Sequence, residues 1–189
     1  MPSPIAHSAM GYLVYRLSRH SLPEQTRIKI GPLPLFLVVT MGVSLLPDLD
    51  SIAGILASDF GRYHNNGTHS LLVGLAVSLL VAGTFWFVKR YDFVFWFVVL
   101  LASYEMHVIM DYFTVGGRGV MLFWPLTLQR FESPVKLFFG VRWSESPLDP
   151  VHLLTLANEL VFLLLLLLFA QIWERKAAIN RNKKAANSF

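Results

Sequence analysis

Three stretches of the chain are apolar on every side, residues 70–88 (SLLVGLAVSLLVAGTFWFV), 93–110 (FVFWFVVLLASYEMHVIM) and 151–173. At a rise of ~1.5 Å per residue, about 20 such residues cross the hydrocarbon of a bilayer, so each stretch predicts a transmembrane helix. Two shorter apolar stretches, 5–17 and 33–46, would each cover only about two thirds of that depth and are expected as packed or half-inserted helices. Pro32 and Pro34 suit the first turn of a helix, and Pro47 closes that helix at LLPDLD. Residues 112–150 carry Gly116, Gly117, Gly119, several prolines and scattered aromatics. Too irregular for a span and too apolar for a free linker, they predict a lid over the membrane surface, with Trp124 and Trp143 seated at the interface. The fold class is therefore an all-α polytopic membrane bundle, with one embedded domain over 1–174 and a basic cytoplasmic tail over 175–189.

Composition agrees: of 189 residues, 54% are hydrophobic and 15% charged, too few polar side chains to cover a soluble globule of this size. The first residues, MPSPIAHSAMGYLVYRL, have no basic start and place a histidine early, so they are read as part of the fold and not as a cleavable signal. The net charge of +4 does not predict nucleic-acid binding, because the basic residues sit at segment ends and in ERKAAINRNKK. With no cysteine, a disulfide framework, a thiolate metal site and a Cys nucleophile are excluded, and any transition-metal site is built from His and carboxylates.

Topology gathers those residues. Only Lys89-Arg90-Tyr91-Asp92 joins the stretches at 70–88 and 93–110, so they form an antiparallel hairpin with both free ends on one side. His64 and His69 precede its first arm, and His107 and Asp111 end its second. Asp48 and Asp50 join them, because SIAGILAS is too short to cross before His64. If the two short helices run down and up, His7 returns to the same face. Arg16, Arg19, Arg27, Lys29, Lys89, Arg90, Arg175, Lys176, Arg181, Lys183 and Lys184 collect at the opposite end, against Arg62, Arg118, Arg130, Lys136 and Arg142 at the His/Asp end. The positive-inside rule then puts the basic end and the C-terminus in the cytoplasm and the His/Asp site toward the periplasm or exterior of a cell inner membrane.

His107 and Asp111, four residues apart, share one helix face as two ligands of one ion would. A hydrogen-bonded helix staple would use the same spacing, but ionisable groups are costly in a membrane and tend to mark function there. Asp48 and Asp50 would alone suit a solvated turn, and Thr68 beside His69 would alone suit a helix cap. Together, imidazole and carboxylate suit a divalent metal, zinc first, with manganese or iron also compatible. Seven candidate ligands exceed what one tetrahedral ion uses, so two ions are an open expectation. Metal-activated water would serve hydrolysis of an ester, with whichever of Asp48 or Asp50 is not a ligand orienting it or taking its proton. His20 and His152 read as interfacial and helix-end residues. Glu105 and Glu159 are acids inside spans, with Asn158, Glu159 or a ligand histidine as conceivable partners for Glu105.

At His7, LLPDLD (45–50), HNNGTHSLL (64–72) and HVIMDYFT (107–114), the sequence resembles the LexA-regulated, membrane-bound metal-dependent hydrolases of the YdjM-like family, with GRGVMLFWPLTLQRF a weaker continuation. That family is distantly similar in ligand pattern to zinc-dependent phospholipase C and related nucleases. The resemblance implies a helical fold, phosphoester hydrolysis, and His7, Asp48, His64, His69, His107 and Asp111 as ligands, with Asp50 a ligand or base. The family commonly reads H-R-G-x-T-H-S where this chain has Asn65 and Asn66 after His64. An arginine contact to substrate is lost or moved there, with Arg62, Arg118 or Arg130 as substitute anion clamps. The expected partners are membrane lipids and a lipid-like or phosphoester substrate. The competing readings are a metal transporter or sensor using the same cluster, and a scaffold with a structural metal. A transport path would need polar residues continuing to the far side, where only Glu105, Asn158 and Glu159 lie deep.

Overall fold

The computed structural model describes residues 1–23, 33–57, 63–141 and 149–186. Helix α1 (Pro4–Ser18) starts where Ser3 caps it, its hydroxyl accepting from the Ala6 amide, with Pro4 in the first turn. Helix α2 (Leu33–Ser44) stops short of Pro47, which sits in a 3-10 turn (Leu46–Leu49) that runs directly into α3 (Asp50–Leu56). The two halves of this segment, Pro34–Ser44 and Leu46–Leu56, are bent by 58° and together are long and apolar enough for one broken span or a re-entrant loop. The bend is what holds Asp48 and Asp50 at the bundle end.

The hairpin forms as the sequence predicts. Helix α4 (Leu71–Lys89) and α5 (Phe93–Tyr112) are joined through Arg90, left-handed at φ 53°, and the Asp92 side chain caps α5 by accepting from the Phe95 amide. Helix α6 (Val151–Ala186) continues past residue 173 into the basic tail, as the helix-forming Ala, Lys, Arg and Glu of that stretch permit. Leu71–Lys89, Phe93–Tyr112 and Val151–Ile179 are each long and apolar enough to cross a membrane. Their most apolar windows are 17%, 44% and 17% buried respectively, so α5 is the central helix while α4 and α6 turn most of their surface outward, to lipid.

Trp96, Leu100 and Val99 of α5 pack with Phe36 of α2 and Val14 and Tyr15 of α1 in one core cluster. Helices α1 and α2 approach closely at Gly11, where an added Cβ would lie 2.5 Å from the Thr40 carbonyl oxygen and 2.6 Å from Met41 Cα. Small residues permit such backbone contact between membrane helices. The described part of the expected lid, residues 113–141, is irregular but tied down. Isolated bridges join Thr114 to Phe138 and Val120 to Phe131. The Ser70 hydroxyl donates to Trp124 O at 2.7 Å, and the Leu71 amide to Leu122 O at 3.0 Å. Trp124 is half-exposed and lies against Gly67, whose missing Cβ would come 2.8 Å from its ring. Arg142 and Trp143 lie outside the described residues, as do Arg27, Lys29 and Arg62.

Candidate metal centre

Four elements converge at the bundle end. Helix α5 supplies His107 and Asp111, the turn before α4 supplies His69, the 3-10 turn after α2 supplies Asp48, and α1 brings in His7. His7, His69 and His107 are 0% exposed. The His69 and His107 Nε2 atoms lie 3.2 Å apart. Asp111 Oδ2 is 3.1 Å from His69 Nε2 and 3.5 Å from His107 Nε2, and Asp48 Oδ1 is 3.6 Å and 3.4 Å from the same two atoms. Ligand bonds of about 2.0–2.1 Å to a tetrahedral ion place donor atoms roughly 3.3 Å apart. Five edges of this four-atom polyhedron are therefore within a few tenths of an ångström of that spacing.

The polar accounting fits the same group. Both oxygens of Asp48, both of Asp111 and both ring nitrogens of His7 are buried without a hydrogen-bond partner among the described residues. Buried carboxylates are ordinarily satisfied, so such orphans call for a cation. The imidazoles are oriented to provide lone pairs. His107 Nδ1 is 2.7 Å from the Ser44 carbonyl, which can only accept, so Nδ1 carries the proton and Nε2 faces the carboxylates. His69 Nδ1 likewise meets Thr68 Oγ1 at 3.1 Å and Asp50 Oδ2 at 3.3 Å. Burial pushes the His69 imidazole down, but the carboxylates of Asp111, Asp48 and Asp50 around it outweigh this and hold it well above its ordinary value. His7 stacks on His107 with ring centroids 3.6 Å apart and its Nε2 3.5 Å from Asp111 Oδ1, a fifth donor beside the four.

Asp50 and His64 form a second group with His69. His64 Nδ1 is 3.0 Å from Asp50 Oδ1, and the His64 ring stands nearly perpendicular to that of His69, centroids 5.0 Å apart. The turn that carries both histidines is anchored from the lid. Arg130 donates to Asn65 O at 2.8 Å, Gly119 O at 3.0 Å and Asn66 Oδ1 at 2.6 Å, and Arg118 donates to His64 O at 3.2 Å. Arg118 and Arg130, two of the three expected anion clamps, thus hold carbonyls of a non-helical loop, and both Asn65 and Asn66 supply acceptors to Arg130. Burial, with Arg118 close by, lowers the Arg130 guanidinium from its ordinary value.

Several supporting contacts were not visible in the sequence. Thr68 does not cap α4, which Ser70 does; its hydroxyl donates instead to Asp50 Oδ2 at 2.8 Å, while Tyr104 Oη donates to the Thr68 carbonyl at 2.6 Å. Glu159 of α6 accepts from the Ser3 amide at 2.6 Å and from its hydroxyl, clamping the start of the helix that carries His7. Glu105 pairs with neither Asn158 nor Glu159: it lies against Gly74, and its two oxygens have no hydrogen-bond partner among the described residues. His152 opens α6 and belongs to neither ligand group.

Fold and centre together define a polytopic α-helical membrane protein with a His/Asp ligand set buried at one end of its bundle. The chain belongs to the YdjM inner membrane protein family, whose model matches residues 1–178. It is similar to the inner membrane protein YbcI of Escherichia coli (strain K12), 28% identical over 183 residues that cover 93% of this chain and 99% of the relative. No solved structure matches it.

Proposed function

We propose that the chain is a metal-dependent hydrolase of the inner membrane that cleaves an ester, in first place a phosphoester, of a lipid or other amphiphile. The observation that carries this reading is the buried polyhedron of His69, His107, Asp48 and Asp111 at ion-ligand spacing. A divalent ion bound there, zinc first, would activate water near neutral pH and polarise the ester oxygen. The protein's own part is to hold that ion and manage the proton. Asp48 is the ligand nearest the surface, its side chain 13% exposed against 0% for Asp111, which makes it the edge from which substrate enters. Beside it the Asp50–His64 couple provides an imidazole backed by a carboxylate, an arrangement suited to accept a proton. Arg118 and Arg130 place positive charge on the same rim and favour an anionic substrate, and the position at the end of three membrane-crossing helices favours an amphiphilic one. The Lys/Arg asymmetry supports a site facing the periplasm and a cytoplasmic C-terminus, to be tested with reporter fusions at the C-terminus.

The test is metal analysis of detergent-purified protein followed by hydrolysis assays on phospholipids and soluble phosphoesters, with H107A as control. Turnover that requires the metal and disappears in H107A is the expected result; a metal-loaded protein without turnover on any ester rejects the reading. One observation favours a second possibility, a metal-holding membrane protein such as a sensor. Four protein donors already complete a tetrahedral set, as closed structural sites do. A loaded protein that admits neither exchangeable water nor phosphate would decide for it.

A further inference from the structure

Asp48 and Asp50 are two residues apart on one turn, yet their oxygens have opposite surroundings. Both oxygens of Asp48 lack hydrogen-bond partners among the described residues. Asp50 is saturated: Oδ1 faces His64 Nδ1 at 3.0 Å and the Ser51 hydroxyl at 3.5 Å, and Oδ2 takes the Thr68 hydroxyl at 2.8 Å, His69 Nδ1 at 3.3 Å and the Asn66 amide at 3.4 Å. An ion held by Asp50 with His64 and His69 would have to displace both Nδ1 protons and the Ser51, Thr68 and Asn66 donors. An ion among Asp48, His69, His107 and Asp111 displaces none of them and satisfies the orphaned oxygens.

We propose that the centre holds a single ion and that Asp50 is not one of its ligands but its positioning carboxylate, receiving Nδ1–H from both His69 and His64. In that role it fixes the tautomer in which the His69 Nε2 lone pair faces Asp48, Asp111 and His107, and it sets the ring of His64 at the rim. Outer carboxylates of this kind orient ligand imidazoles, and their loss weakens metal binding about 10- to 100-fold without changing the ligand set. An amide at this position would present N–H to imidazole N–H and force the tautomer to change. The inference rests on the reading of the four-residue set as a metal site, and does not depend on hydrolysis.

The experiment is cobalt(II) loading of the full-length protein in detergent, comparing wild type, D50N, D48N and T68V by ion stoichiometry, visible absorption bands and competition with a chelator. One ion per wild-type chain is expected. D50N should still bind one ion at saturation with its bands unmoved but affinity about 10- to 100-fold weaker, whereas D48N should shift the bands. T68V, which removes one donor to Asp50 at constant shape, should weaken affinity about fivefold with unmoved bands. Two ions in wild type, bands in D50N displaced like those of D48N, or affinity unchanged in D50N overturns the proposal. If D50N does not fold, T68V decides alone: unchanged affinity or displaced bands overturns it. Failure of the underlying site looks different, because then wild type binds no cobalt or D48N and H107A bind it as wild type does.

Discussion

At the end of the bundle opposite the ligand histidines, α1 and α6 meet through Arg16, Arg19 and Glu174. There both oxygens of Glu174 have a donor: Arg16 binds them through Nε and Nη2, and Arg19 Nη2 reaches Oε1 at 2.8 Å. At the other end, Asp48 and Asp111 sit among three imidazoles at 3.1–3.6 Å with no hydrogen bond to either among the described residues. Both ends carry ionisable groups that tie helices together, but one is complete in itself, partly exposed, and the other is deeply buried, its acid oxygens without a hydrogen-bond donor among the described residues. The first is an ordinary interfacial ion pair that secures α6; the second has the electrostatic signature of a ligand set.

The contrast breaks most sharply at Asp111. D111N removes the fully buried carboxylate that faces His7, His69 and His107, and is expected to lower metal affinity more than about 100-fold, beyond the effect of losing an outer partner. Chelator competition measures this, and a D111N protein that retains wild-type affinity would contradict the assignment. Acidity should act in the same direction. Because the folded, metal-free protein holds the His69 proton well above its ordinary value, the stability from that proton is fully present below the unfolded value near pH 6.5 and is lost as pH rises through the raised folded value. The ion must displace the proton, so apparent affinity should fall about tenfold per pH unit for each proton released. Melting curves of loaded and metal-free protein between about pH 6 and 9 should therefore diverge as pH rises; parallel curves would argue against a shared proton and metal site.

What could be read from the sequence divides along the same line. The hairpin was legible because the turn 89–92 leaves α4 and α5 no alternative to antiparallel packing, and this alone put His69 with His107 and Asp111. The arrival of His7 depended on two short helices turning back, and the close approach at Gly11 is what makes that pairing tight. The different environments of Asp48 and Asp50 could not be read, because adjacent acids in PDLD are equivalent until donors from Ser51, His64, Asn66, Thr68 and His69 fold around one of them. The structural partners of Arg118 and Arg130 were hidden for a related reason. Loop carbonyls at 64, 65 and 119 need donors, and only the folded lid reveals that these arginines supply them.

A smaller effect is expected where the scaffold, and not the ligands, is disturbed. G11V inserts side-chain atoms where even a Cβ would lie 2.5 Å from the Thr40 carbonyl oxygen, and overpacking of this kind costs about 1–3 kcal/mol. Prying α1 from α2 also moves His7 and the Ser44 carbonyl that orients His107, so thermal stability and metal affinity should fall together. Retained affinity in a destabilised G11V protein would mean that His7 and the α2 carbonyl are dispensable to the centre.

The smallest effect separates the two ends most cleanly. E174Q keeps the shape of the side chain and one acceptor oxygen, but it removes the charge that both arginines share and one acceptor of the Arg16 pair. Those side chains are 14% to 31% exposed, so water screens the loss, and about 1 kcal/mol or less of stability is expected from such a pair. Metal content and affinity should not change, because Glu174 acts on the far end of α1, about two and a half turns of helix from His7. The measurement is a paired one, melting temperature and chelator competition on the same preparation. A loss of metal comparable to that of D111N would show that the two ends are coupled through α1, and that the centre depends on where α6 seats that helix as much as on its own ligands.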